Sequence, residues 1–383
     1  MIDEIVRVAT RVVRKRFGDD VSLRDARVVA ARERNLVVRC DLTPGHAAPC
    51  SVIVKQHLAD ATRGFSDWAS LAFISTLDDA RGIAPVFYGG DAAARLFVME
   101  DLSGSGTLAD VIAAGDVVAI RGTLRLLAEP MARLVAATAG SLREASYRRL
   151  RRGLPGGRGQ GRHQEAVHWS AGWPKVAAWF DTLGCPIGKE FEAGFRRVAN
   201  SYAEPGPFLA FSHGDPAPSN NHVSPAAVRL LDFEYGAYRH ALYDITGWYV
   251  LCPLPETWEA ELHRDFRQLL MGEWAPAADE AAYSAAWAEM CAYRALAMLS
   301  WLPLDVVSAD RPWVDDWTMR GALVTAATRL GRACTDLPGL EALGEAGHRL
   351  AQAARRRWPE VGTGLPRWPD IRHDSSDASP PSP

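Results

Sequence analysis

Three oxygen-bearing side chains stand close together in one stretch, FSHGDPAPSNNHVSPAAVRLLDFEYGAYRHALYDI, and no Cys or His lies at ligand spacing beside them. Asp215 is followed five residues later by Asn220. Twelve residues beyond that, Asp232 ends the apolar run VRLL. Hard oxygen donors of this kind suit Mg²⁺, which takes one or two carboxylates and completes its shell with substrate phosphates. Phosphoryl transfer needs such a set. An Asp orients an attacking hydroxyl and takes its proton, while an Asn and a second Asp hold the metal.

The elements that must position these groups are readable around them. Residues 208 to 211 form an apolar strand, and Gly214, Pro216 and Pro218 forbid a helix in the loop that follows. A second strand covers 228 to 231, then comes another loop and a helix. Earlier in the chain, residues 3 to 17 place Ile5, Val8, Val12 and Val13 on one helical face. Strand-like runs VVAA, NLVVRCDL and SVIVKQH follow, with a hairpin connection at Pro44-Gly45, and together they read as a small antiparallel sheet. Residues 65 to 77 read as a helix, and an apolar strand runs through ARLFVMEDL to a boundary near residue 102.

Beyond that boundary the pattern is helical. A long helix is expected over 117 to 139, and others at about 174 to 184, 190 to 203, 255 to 272, 278 to 301, 312 to 333 and 338 to 357. Between them, YRRLRRGLPGGRGQGRHQE in 143 to 165 is Arg- and Gly-rich. It reads either as a solvated, mobile surface loop or as an Arg cluster over phosphates or an anionic substrate. The many Trp of the later helices read mostly as core, with one or two available to stack on a sugar or a cation. The acids between them suit an amine, or simply solvate their helices. The tail HDSSDASPPSP, 373 to 383, is polar and expected to be disordered.

Composition narrows the function classes. With 383 residues the chain is long enough for two lobes, and 48% hydrophobic against 23% charged residues is globular. A net charge of −3 supplies no basic field for nucleic acid. No uncharged run reaches the roughly 18 residues of a membrane span. The six Cys show no C-x-x-C, which fits reduced thiols in the cytoplasm. Cys40 and Cys50 either face each other across a hairpin or, the preferred reading, are two buried small side chains.

His213-Gly214-Asp215, Asn220 and Asp232-Phe233-Glu234 together resemble the HGDxxxxN and DFE signatures of aminoglycoside phosphotransferases and choline kinase-like enzymes, small-molecule relatives of the protein kinases. The resemblance implies an α+β, bilobal, protein-kinase-like fold. A nucleotide-binding lobe would span 1 to 101 and a larger, mostly helical catalytic and substrate-binding lobe 102 to 372. It implies ATP or GTP as phosphoryl donor, Mg²⁺, and a small hydroxylated acceptor. Asp215 would be catalytic, with Asn220 and Asp232 on the metal. Lys55, in VIVK, matches the kinase V-A-I-K lysine that pairs the nucleotide phosphates.

Other positions follow from the same resemblance. Asp67 stands where the family usually has Glu; it either ties Lys55 or, as a helix N-terminal Asp, complements the dipole. ARERN lacks the glycines of a protein-kinase phosphate loop, and Asn35 within it would contact the nucleotide. Glu100 lies at the hinge where backbone groups read the adenine edge. His213, Glu234 and Asp244 would brace loops or face the substrate. The acceptor is expected to be an antibiotic or sugar-like metabolite. Choline or a related amino alcohol, and a nucleotide-binding pseudokinase, are the alternatives.

Overall fold

The first helix, α1 (Ile2–Phe17), buries Ile5, Val8, Ala9 and Val13 along one face. In the computed structural model, which describes residues 2–43, 48–102, 104, 106–157, 162–252, 254–314 and 317–361, that face lies on an antiparallel sheet. Its strands are β1 (Leu23–Ala31), β2 (Asn35–Leu42), β3 (Ser51–His57), β4 (Phe87–Asp91) and β5 (Leu96–Glu100), in the order β1-β2-β3-β5-β4. Side chains alternate across a strand, so Leu36, Val38, Cys40 and Leu42 of β2 all face α1. Val52 and Val54 of β3 join them, and the same alternation sends Lys55 to the opposite face. The Pro44-Gly45 hairpin tip, Ser103, Ser105, Pro253, Asp315, Asp316 and the tail lie outside the described residues.

Between β3 and β4 runs α2 (Ala61–Ile74), capped by Asp60, whose carboxylate accepts the Arg63 amide at 3.3 Å. Its core is not the one under the sheet. Phe65, Trp68, Leu71 and Phe73 belong to the apolar cluster of the helical lobe, and the Phe73 ring meets Tyr147, Phe211 and Tyr238. The Trp68 ring also meets Phe87 and Phe97 of the sheet, so α2 joins the sheet's other face to the lobe that follows it in sequence.

That lobe begins with α3 (Leu108–Ala114), held by a Thr107/Asp110 capping box, and α4 (Val117–Thr138). The stretch read as a mobile loop is largely helical: α5 (Ser141–Arg152) and α6 (Arg162–Ser170). Arg is a good helix former, Arg148 pairs with Glu144 one turn away at 2.7 Å, and Tyr147 buries its ring. Only the glycines after Arg152 break the helix.

Helices α7 (Trp173–Thr182) and α8 (Lys189–Ala203) lead to β6 (Leu209–Ser212), β7 (Asn221–Val223), β8 (Val228–Leu230) and β9 (Ala237–His240), with β6 paired to β9 and β7 to β8. Then follow α9 (Tyr243–Leu251), α10 (Glu256–Met271), α11 (Ala275–Ala278) and α12 (Glu280–Trp301). The helix expected over 312 to 333 starts late. A short hairpin of β10 (Pro312–Val314) and β11 (Trp317–Thr318) comes first, and Thr318 then caps α13 (Met319–Cys334) through the Gly321 amide. The chain closes on α14 (Glu341–Arg357), packed along α13. The two lobes have the expected bilobal arrangement of a small antiparallel sheet over a larger helical body. Among the described residues no helix is long and apolar enough to cross a membrane. Cys40 is buried as expected, whereas Cys50 is exposed at the mouth of β3.

Candidate active site

The HGD loop leaves the buried strand β6 and is tied down on every side. The Asp244 carboxylate, at the start of α9, accepts the His213 amide at 2.6 Å and the Gly214 amide at 2.9 Å. Gly214 has φ +89°, and a Cβ there would lie 2.4 Å from the Tyr235 carbonyl oxygen, so only glycine fits. The His213 ring, 1% exposed, lies against Phe233. Its Nδ1 accepts the Asp215 amide at 3.2 Å, and its Nε2 lies 2.6 Å from the Leu231 carbonyl oxygen. An amide can only donate and a carbonyl only accept, which requires a neutral ring protonated on Nε2. Both nitrogens are thereby committed to joining the Asp215 loop to the Asp232 loop.

Asn220 ends a short turn after Pro218. Its amide nitrogen donates to the Asp215 carbonyl oxygen at 2.9 Å and lies 3.5 Å from Asp215 Oδ2. Its own carbonyl accepts the Leu231 amide at 2.8 Å, which sets Asn220 beside the residue preceding Asp232. Asp232 adopts a left-handed backbone, φ 62°, unusual for a residue with a side chain. There its carboxylate meets Lys55 of the other lobe, with Oδ1 2.7 Å from Nζ.

Lys55 holds a second carboxylate at the same distance, Asp67 Oδ2 at 2.7 Å. Asp67 is in the middle of α2, 1% exposed, and its other oxygen accepts the Phe233 amide at 2.9 Å. The helix cap is Asp60, so Asp67 is not a dipole-complementing end residue; its shorter side chain reaches Lys55 directly. Burial works against the Lys55 charge, but the two carboxylates outweigh it and hold its pKa above the usual value. Burial likewise opposes the Asp232 charge, and Lys55 still keeps that carboxyl below its normal range. Asp67 is pushed up by burial, with Lys55 opposing and Asp232 reinforcing.

The remaining expected residues form the rim. Asn35 opens β2 opposite His57, and its carbonyl closes the preceding turn on the Arg32 amide. From that turn Arg34 reaches across to Glu234 at 3.3 Å, a link between lobes that the sequence reading did not contain. Burial and nearby Asp232 raise the Glu234 pKa against the pull of Arg34. The Glu100 carboxylate is taken by Arg229 (2.6 Å) and the Val86 amide (3.0 Å), and its own amide donates to the Val86 carbonyl, so the side chain is engaged within the protein. Arg229 was equally unforeseen: one Arg in VRLL carries no signal of a partner 129 residues away.

Among the described residues no group of three or more His, Cys, Asp or Glu side chains is arranged to hold a metal alone. One carboxylate and one amide oxygen fit Mg²⁺ nonetheless, because that ion keeps waters and takes the rest of its shell from nucleotide phosphates.

No family model matches the chain, and no curated protein matches it. Among solved structures it is similar to a choline/ethanolamine kinase family protein from Mesorhizobium loti, at 16% identity over 93% of this chain and 99% of the other, TM-score 0.46. A macrolide 2′-phosphotransferase from Brachybacterium faecium is similar at 14% identity over 78% and 91%, TM-score 0.47. An ethanolamine kinase from Plasmodium vivax is similar at 12% identity over 88% and 87%, TM-score 0.45. At these scores the likeness is one of general outline, and function has to be argued from the site.

Proposed function

We propose that the protein is a Mg²⁺- and nucleotide-dependent O-phosphotransferase acting on a hydroxyl of a small molecule. The observation that carries this reading is the position of Lys55, buried between Asp67 of α2 and Asp232 of the other lobe. A cation with two carboxylates, one of them 28% exposed, is poised to exchange the exposed partner for phosphate oxygens. Asp215 and Asn220 lie on the neighbouring loop. In this reading Asp215 orients the acceptor hydroxyl and takes its proton as the new bond to phosphorus forms. Lys55 neutralises the nucleotide phosphates, and positioning contributes more than base strength because the transition state is loose. Asn220 and Asp232 would hold Mg²⁺, which supplies charge neutralisation at the phosphates. His213, with both ring nitrogens engaged, braces the loops.

The acceptor we favour is a hydroxylated antibiotic or sugar-like metabolite, with choline or another amino alcohol as the alternative. The test is thermal shift with ATP and GTP, with and without Mg²⁺, followed by phosphate transfer to a panel of hydroxylated antibiotics, sugars and amino alcohols. We expect Mg²⁺-dependent stabilisation by nucleotide, lost in Asp232→Asn, and turnover on one panel class. Stabilisation without turnover on any acceptor would favour a binding-only protein. No nucleotide effect at all would remove the proposal.

A further inference from the structure

A cavity of about 720 Å³ opens between the first turns of α2, the length of α5 and the strand that follows Glu234. Its wall takes in Glu234 and Tyr235, just beyond the Asp232-Phe233 pair, and does not include Asp215, Asn220 or Asp232. Three of the guanidinium groups on its wall have carboxylates of their own: Arg239 with Glu165, Arg148 with Glu144 and Arg63 with Asp60. Two do not. Arg151, 4% exposed, donates only to the Thr62 and Pro155 carbonyl oxygens, at 3.1 and 3.0 Å. Arg152, exposed, donates to the Arg148 carbonyl. No described carboxylate pairs with either.

A buried cation without a counter-charge is costly, and an accompanying anion offsets that cost. Two carbonyl oxygens satisfy part of the Arg151 guanidinium but bring no negative charge, and burial depresses its pKa with only Tyr147 opposing. Guanidinium groups also present paired N–H donors that match phosphate and carboxylate oxygens. Thr62 lies beside both on the cavity wall. We propose that this cavity is a binding site for a small oxyanion-bearing ligand, a phosphate ester or a carboxylate, anchored by Arg151 and Arg152. It is a second site, and it stands whether or not the phosphotransferase reading does.

The experiment titrates inorganic phosphate, acetate and neutral sorbitol into the full chain by calorimetry at constant ionic strength. The wild type is compared with Arg151→Met and Arg152→Ala. We expect saturable oxyanion binding, no sorbitol binding, a loss of about tenfold in affinity for Arg151→Met and a smaller loss for Arg152→Ala. Preference for phosphate assigns a phosphate ester, and preference for acetate a carboxylate. Arg152 is exposed, so its variant folds even if Arg151→Met does not. Nucleotide-induced thermal shifts recorded on the same samples keep the two sites separate, and both variants should retain whatever shift the wild type shows. Phosphate binding unchanged in Arg152→Ala and Arg151→Met, or absent from the wild type together with acetate binding, would overturn the site.

Discussion

At the scale of single residues, Asp215 and Asp67 of the proposed site have separable duties. Asp215 receives one amide nitrogen, from Asn220, and carries no ion pair among the described residues. Asp215→Asn should therefore leave nucleotide affinity and melting temperature nearly unchanged while turnover falls by roughly 10² to 10⁴, the usual loss for a positioned base. Melting temperature and steady-state rate measured on one preparation check this; a stable variant with near wild-type turnover would refute the assignment. Asp67 is the opposite case. Its slot is closed, with one oxygen on Lys55 and the other on the Phe233 amide. Lengthening the side chain, Asp67→Glu, inserts a methylene into a full space and should cost about 1–3 kcal/mol rather than improve the pair. Chemical denaturation would show a lower midpoint at unchanged slope.

At the scale of elements, the loop that carries Asp215 depends on one glycine and one brace. Gly214→Ala puts a Cβ against the Tyr235 carbonyl at a φ that disfavours side chains. We expect a loss of more than about 2 kcal/mol, together with loss of activity beyond the fraction unfolded. Comparing specific activity per folded molecule separates the two effects. How much of this was legible depends on distance along the chain. Asp215, Asn220 and Asp232 were visible because their loops are consecutive and marked by Gly and Pro. Lys55 stood out only through the resemblance of VIVK to the kinase V-A-I-K strand. The Arg34–Glu234 and Glu100–Arg229 pairs were not, because an ion pair between remote loops leaves no periodic trace in either. Helix α5 was misread for another reason. Its Arg-rich composition outweighed Tyr147, the single residue that fastens it to the core, and glycines beyond Arg152 were extended backward over it. The same composition also hid Arg151, a buried charge in a run of exposed ones.

At the scale of the whole molecule, burial holds the pKa of three histidines far below the usual value. Burial lowers the pKa of His57 and His263 to about 4 and that of His240 to about 3, from 6.5. Unfolding exposes them to protonation, so the unfolded chain binds more protons below about pH 6.5. Stability should therefore fall as pH drops from 6.5 toward 4, by about 1.4 kcal/mol per pH unit for each histidine. Carboxylates held low in the fold, Asp232 and Glu100, add losses of the same sign at still lower pH. Urea unfolding at pH 7.5, 6 and 5 tests this, and a flat profile would contradict it. One contact also sets how the molecule's ligands must communicate. Asp232 is joined to Lys55 at 2.7 Å, so the carboxylate proposed here for Mg²⁺ is already answered by an ammonium. A nucleotide that draws Lys55 to its phosphates releases that carboxylate, and the two affinities become reciprocally linked. Mg²⁺ titrated alone should bind at least about tenfold more weakly than Mg²⁺ titrated against the nucleotide-loaded protein, and Lys55→Met should shrink that gap; equal affinities would mean that the chain senses its metal and its nucleotide independently.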